Sequence, residues 1–328
     1  MSAVASLAGE LPQEERERDT ADEAYRRLVA RLSHQSVVKH FDAYADVPWD
    51  DPAYAINPED PRLVLSADDP LGATAWYQAQ PVGVQARIGL HMIATFARIG
   101  WQFESVLKRG LLEFALRLPE GAPEFRYVYH EVIEEAQHSL MFNEFVTRTK
   151  LPTKPPFILG LGDRFVLRFA RRFPELFFFF VLAGEDPIDY TQREMLKSDR
   201  ELHPLIERIS RIHVTEEARH IAFARHYLRR NVPKLGAVKM TILRLRTALV
   251  MKIAGQMMSR PSHHVVRTYG IPAEVLREAY GPGSRGAEFM QKALFKPREL
   301  AWELGVLNER WTPLWKRLGI WAPRGQMQ

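Results

Sequence analysis

Two short stretches hold the residue types that could do chemistry: Glu131 to His138 (EVIEEAQH) and His213 to His220 (HVTEEARH). Each contains Glu-x-x-His, at Glu135/His138 and Glu217/His220. Three residues along a helix return a side chain to the same face, so each pair can offer one carboxylate and one imidazole to a common point. Two such helices, each joined by a lone glutamate on a further helix, form the ligand set of a di-iron or di-manganese carboxylate bundle. Glu104 and Glu185 fit the lone positions, with 30 residues between Glu104 and Glu135 and 31 between Glu185 and Glu217. Such spacing suits one ligand on one helix and the next on its antiparallel neighbour. Four glutamates and two histidines make a hard, oxygen-rich donor set. Two iron ions are the expected cofactor, because iron can change oxidation state during oxygen activation. Manganese is an alternative occupant on expression.

His213 lies four residues before Glu217 and seven before His220, on the same helical face. Spacing alone leaves two readings open: a third imidazole at one metal, or a buried histidine with its nitrogens hydrogen-bonded. Asp186 is the register rival of Glu185. Together with Glu134 and Glu216, it is a candidate for the hydrogen bonds that orient metal ligands. Glu131, Glu144, His130 and His226 read as surface, crossover or packing residues, and His263/His264 as structural or exposed.

The elements that must position these residues are helices. From Val82 to Leu118 the chain is free of proline and repeats apolar residues at helical intervals, among them Ile88, Phe96, Phe103, Leu107 and Phe114, with Glu104 inside the run. A break at Pro119 to Pro123 permits reversal into a helix over Glu124 to Thr149. A third helix should start around Pro174 and run through the phenylalanine block and Glu185, with Pro187 kinking it without ending it. A fourth spans about His203 to Arg229, and another should cover residues 235 to 258. A first helix is expected from Glu23 to about Phe41. The proline- and aspartate-rich residues 45 to 64 read as a crossover packed on the bundle. Short helices and a final pair around 287 to 317 follow. Trp302, Trp311, Trp315 and Trp321 suggest C-terminal elements packed over the bundle. The basic segment from Arg148 to Arg172 reads as a solvated helix and loop. The fold class is therefore all-α: a ferritin-like four-helix bundle with additional N- and C-terminal helices. One domain is expected over 23–317 with its core at about 82–230, between a flexible tail at 1–22 and a C-terminal tail at 318–328.

Composition narrows the function. The 328 residues are 46% hydrophobic and carry a net charge of +5, which without a groove or reading motif is no sign of nucleic acid. No cysteine is present, so disulfides, thiolate metal sites and cysteine nucleophiles are excluded together. The most apolar run, Leu176 to Gly184, is far shorter than the roughly 20 residues of a membrane span. Met1 to Asp22 has no signal-peptide pattern, so a cytoplasmic protein without stable membrane insertion is expected.

The chain resembles the AurF-like family of di-iron N-oxygenases, whose best-known member converts para-aminobenzoate to para-nitrobenzoate. The family pattern is a glutamate, a gap, then Asp/Glu-Glu-x-x-His, occurring twice. It appears as Glu104 with Glu134-Glu135-Ala136-Gln137-His138, and as Glu185 with Glu216-Glu217-Ala218-Arg219-His220. The family's extra histidine ligand falls on His213, and the resemblance covers approximately residues 35 to 235. It departs in having Glu134 and Glu216 where the family often has aspartate. The resemblance implies a metal set of Glu104, Glu135, His138, Glu185, His213, Glu217 and His220. It also implies O2 as co-substrate, an amine substrate (an arylamine above all), and an external electron donor. A homodimer is expected from the long exposed faces of a bundle. The alternatives are a hydroxylase or desaturase of an aliphatic or carrier-bound substrate, and a ferroxidase or iron-storage protein.

Overall fold

The structure is a computed structural model that describes residues 13–154 and 157–323. Among the described residues the regular structure is all helical: α1 (Gln13–Val38), α2 (Ala75–Gln78), α3 (Val82–Ala115), α4 (Pro123–Thr149), α5 (Phe157–Arg172), α6 (Pro174–Lys197) and α7 (Pro204–Asn231). After these come α8 (Ala237–Ser259), α9 (His263–Tyr269), α10 (Ala273–Tyr280), α11 (Arg285–Ala293), α12 (Phe295–Glu303) and α13 (Thr312–Leu318).

Local chemistry sets the ends of the long helices. α4, α6 and α7 each begin with a proline in the first turn, where its fixed φ helps and its missing N–H costs nothing. Each also carries a glutamate in its first turn (Glu124, Glu175, Glu207) and a basic residue in its last, in line with the helix dipole. The His203 ring caps α7 by accepting from the Leu205 N–H. Pro187 leaves α6 unbroken, as expected, although the Ala183 carbonyl loses its usual donor there.

α3 and α4 form one antiparallel hairpin and α6 and α7 the other. α5 crosses between them against α3 and α6, while α3 meets α6 and α4 meets α7 to close the four-helix core. This is a ferritin-like four-helix bundle with extra helices. α8 runs along α6, and α1 covers α4 and α7. Phe177, Phe178 and Phe179 are all fully buried, because α6 is enclosed by bundle helices on one side and by α8 on the other. Trp315 is fully buried, and Trp302, Trp311 and Trp321 pack partly buried on the same core.

The α3/α6 contact is fixed by two reciprocal seats. A Cβ on Gly110 of α3 would lie 2.3 Å from the Phe177 ring of α6, and a Cβ on Gly184 of α6 would lie 2.3 Å from the Phe103 ring of α3. Phe103 and Gly184 immediately precede Glu104 and Glu185, so the seat that locks the helices also aims the two carboxylates. Gly184→Ala is expected to overpack this contact and destabilise the fold by about 1–3 kcal/mol, read as a lowered denaturant midpoint. A wild-type midpoint would mean that Phe103 can move away freely.

Some boundaries differ from expectation. The first helix starts at Gln13 and stops at Val38, so residues 13–22 of the expected tail are helical, while residues 1–12 lie outside the described residues. The C-terminal tail is anchored in part, with Ile320 and Ala322 buried, and residues 324–328 lie outside the described residues. Residues 45–64 do pack on the bundle, through buried Val47, Trp49 and Leu63 and two short 3-10 turns. On α5, Arg168, Arg171 and Arg172 are exposed, a solvated face. No helix among the described residues is long and apolar enough to cross a membrane.

Candidate metal centre

The bundle brings Glu104 from α3, Glu135 and His138 from α4, Glu185 from α6, and His213, Glu217 and His220 from α7 to one place in its interior, every one at most 1% exposed. Their donor atoms form three overlapping groups able to hold a metal ion: Glu104/His138/His213, Glu135/Glu217/His220 and Glu185/His213/Glu217. Glu217 Oε1 lies 3.4 Å from His138 Nδ1, 3.6 Å from His213 Nε2 and 3.2 Å from His220 Nδ1. His220 Nδ1 is 3.0 Å from Glu135 Oε1, and His213 Nε2 is 3.7 Å from Glu104 Oε1.

The outer nitrogens of the two paired histidines are held crosswise. His138 Nε2 donates to Glu216 Oε2 at 2.9 Å and His220 Nε2 to Glu134 Oε2 at 2.8 Å, so each imidazole is fixed by the glutamate doublet of the opposite motif. Arg219 joins the two anchors, donating to Glu134 at 2.8 Å and Glu216 at 3.4 Å. The Phe41 N–H also donates to Glu216. With the Nε2 protons held outward, Nδ1 of His138 and His220 face the cluster. His213 is the converse case. Its Nδ1 donates to Gln192 Oε1 at 2.9 Å, leaving Nε2 facing inward. Asp186 points away from this group and pairs with Arg225, though burial still pushes its carboxyl up to about 6.

A di-iron site fits the donors present. Both carboxylate oxygens of Glu135 and Glu185, Oε1 of Glu104, Oε2 of Glu217, Nδ1 of His138 and Nε2 of His213 are all buried without a hydrogen-bond partner. Buried polar atoms in such numbers at one point are what a cation would satisfy. The electrostatics agree. Burial, reinforced by Glu217, Glu135 and Glu104, pushes the Glu185 carboxyl far above its usual range, and burial raises Glu104. Burial also works against charge on His138 and His220, yet the surrounding carboxylates override it and raise both imidazoles well above their ordinary value. Protons thus occupy the place of positive charge, and metal binding would release them.

Several contributors were missed from sequence. Of the surface, crossover and packing readings open for Glu131, burial leaves packing: it is fully buried one turn before Glu135, with neither oxygen hydrogen-bonded. Lys108 donates to the Glu135 carbonyl and to Ser139, whose hydroxyl donates to Glu104 Oε2 at 3.0 Å. Lys108 sits one turn after Glu104 and Gln192 two turns after Glu185, so helical phase was the signal available for both. Burial pushes the Glu131 carboxyl up to about 8. An acid with a raised native pKa stays protonated in the fold while the unfolded chain ionises, so stability falls as pH rises from about 4.5 to about 8. Metal-free Glu131→Gln is expected to lose this slope, a difference of a few kcal/mol across the window (roughly 1.4 per pH unit). Denaturant unfolding at several pH values checks it, and an unchanged slope would sink the assignment.

Beside His213 the bundle opens into a cavity of about 140 Å³ between α3, α4, α6 and α7. Its wall includes Gln192 and Phe142, whose ring centroid lies 5.2 Å from that of His213, so the cavity abuts the cluster on this histidine's side.

A ferritin-like bundle enclosing paired Glu-x-x-His motifs and lone glutamates, with unsatisfied donors converging inside it, defines a non-haem di-iron oxidoreductase. The chain belongs to the P-aminobenzoate N-oxygenase AurF family, which matches residues 22–305. It is 38% identical over 304 residues to an uncharacterised protein of Mycobacterium tuberculosis (strain ATCC 25618 / H37Rv), covering 92% of this chain and 89% of that protein. An uncharacterised protein of Mycobacterium bovis (strain ATCC BAA-935 / AF2122/97) is similar to the same extent.

Proposed function

We propose that this protein is an O2-dependent N-oxygenase that oxidises an arylamine to the hydroxylamine and nitro levels, using two iron ions and an external electron donor. The observation that carries this reading is the convergence of the seven buried ligand candidates beside an apolar cavity. Glu104, Glu135, Glu185 and Glu217 would hold the ions with His138, His213 and His220. Bound iron would supply O2 activation and the redox change. The chain's own part is placement. Glu134 and Glu216 aim two imidazoles, Gln192 aims the third, and the aromatic wall excludes water from the reacting face. His213 enriches nitrogen on one side of the cluster and makes the two metal positions unequal, which distinguishes this donor set from a six-ligand bundle.

Anaerobic loading with ferrous iron, then oxygen exposure with an arylamine panel and mass analysis, tests the proposal. About two irons per chain with oxygenated nitrogen products is the expected result. Products from alkyl compounds alone would transfer the protein to the hydroxylase and desaturase class. Iron oxidation with loading far beyond that stoichiometry and no organic product would make it a ferroxidase. The expected homodimer is part of the proposal; exposed Phe125, Tyr129, Ile133 and Leu140 at helical intervals on α4 support it, and sedimentation tests it.

A further inference from the structure

The cavity beside His213 has walls that specify charge as well as size. Ile93, Phe96, Phe142, Phe145, Ile188 and Ile206 are among its apolar walls, and none of its lining residues is acidic or basic. Its polar members are Thr191, Gln192 and Ser210. The Thr191 hydroxyl donates to the Pro187 carbonyl at 2.8 Å, and Gln192 Oε1 accepts from His213. The Gln192 amide N–H groups and the Ser210 hydroxyl are what remain for a ligand. Among the cations that adjoin lining residues in sequence, Arg193 is bound through Nε to both oxygens of Asp189 at 2.8 Å, Arg211 pairs with Glu207, and Arg98 lies over the Trp101 ring. The volume of about 140 Å³ is close to that of engineered apolar cavities of roughly 150 Å³ that take up benzene.

We infer that the cavity accepts an uncharged single-ring amine and rejects rings bearing a carboxylate or an alkylammonium. This deepens the N-oxygenase reading and rests on it for the identity of the reacting group. Among the lining residues a ring carboxylate would lose its water and meet no cation, and an alkylammonium would meet no anion, each an unfavourable burial of charge. An arylamine nitrogen is neutral near pH 7. It can accept from the Gln192 amide and donate to Ser210, which places it one side chain away from His213. The same Gln192 therefore fixes both the imidazole and the amine. That linkage gives the ring an orientation with its nitrogen toward the cluster and its far edge against the isoleucine and phenylalanine wall.

The test uses three rings of similar size: para-toluidine (neutral), para-aminobenzoate (anionic) and benzylamine (cationic). Binding is measured by calorimetry on the full chain, both iron-loaded and metal-free, so that the result does not depend on turnover. Para-toluidine is expected to bind at least about a hundredfold more tightly than either charged ring. Equal or tighter binding of para-aminobenzoate, or no binding of para-toluidine, overturns the inference. A second arm installs the missing cation. Thr191 is exposed at the cavity edge, so Thr191→Arg should fold, and it is expected to raise para-aminobenzoate affinity at least about tenfold. A folded Thr191→Arg protein without that gain overturns the placement of the ring. Should para-toluidine bind selectively yet yield no oxygenated product, the cavity assignment stands and the N-oxygenase reading fails.

Discussion

Glu217→Ala is expected to hold less than half the iron of the wild-type chain and to lose turnover by at least about a thousandfold. Its carboxylate belongs to two of the three candidate ligand groups, and one of its oxygens lies within 3.6 Å of all three imidazoles. His213 is the other residue shared by two groups, but Glu217 is the carboxylate that reaches all three imidazoles. Burial alone would raise its pKa, but the His220 and His213 imidazoles beside it hold it well below the usual carboxylate range. Removing it takes away the anion these imidazoles share and a candidate ligand for each metal position. Far-UV circular dichroism should stay helical, because α7 keeps its apolar contacts. Metal analysis after reconstitution is the decisive measurement: wild-type iron content in the variant would refute Glu217 as the shared ligand.

The second large effect concerns the crossed anchors. Glu134→Ala and Glu216→Ala should each weaken iron binding about 10–100-fold, although neither carboxylate is aimed at the metal positions. Glu134 is held ionised, with a pKa of about 2, because its hydrogen bond to His220 and the charges of His220 and Arg219 outweigh its burial. Without it the His220 ring loses its 2.8 Å partner and is free to turn. Glu216→Ala frees His138 in the same way. The double variant leaves Arg219, 6% exposed, without either carboxylate. An uncompensated buried charge costs about 3–5 kcal/mol, so the double variant should also unfold at markedly lower denaturant. Chelator competition gives the affinities and denaturant melts the stabilities. Glu134→Gln separates the two contributions, since it keeps a hydrogen-bond acceptor and removes the charge. If both single variants bind iron as the wild type does, the anchors are ornaments of packing with no role in aiming ligands.

The bundle and the identity of the clustered residues were readable in the sequence because helical phase is local information. Glu-x-x-His puts two side chains on one face whatever the rest of the chain does. The equal gaps from Glu104 and Glu185 then follow from hairpin length. What could not be read is whatever depends on rotation of one helix against another. Glu131 is one turn from Glu135 and resembles any surface glutamate of α4, yet it faces inward and is fully buried. The charge of the cavity wall was equally hidden. Arginines abound before α6, but their helix packs on α3 and α6 with Arg168, Arg171 and Arg172 in solvent, away from the cavity lining. The burial of Ile320 reflects tertiary contacts that no local pattern announces.

The crossed anchors also mean that the two hairpins have given up their independence. Each Glu-x-x-His motif owns an imidazole but lacks the carboxylate that steers it, and finds that carboxylate only on the other hairpin. Half of this protein could form its helices and still be unable to present a competent ligand. Occupancy by one ion would stiffen the α4/α7 contact on which the other ion's histidine would depend. The pair should therefore fill cooperatively, with little half-loaded protein at intermediate iron.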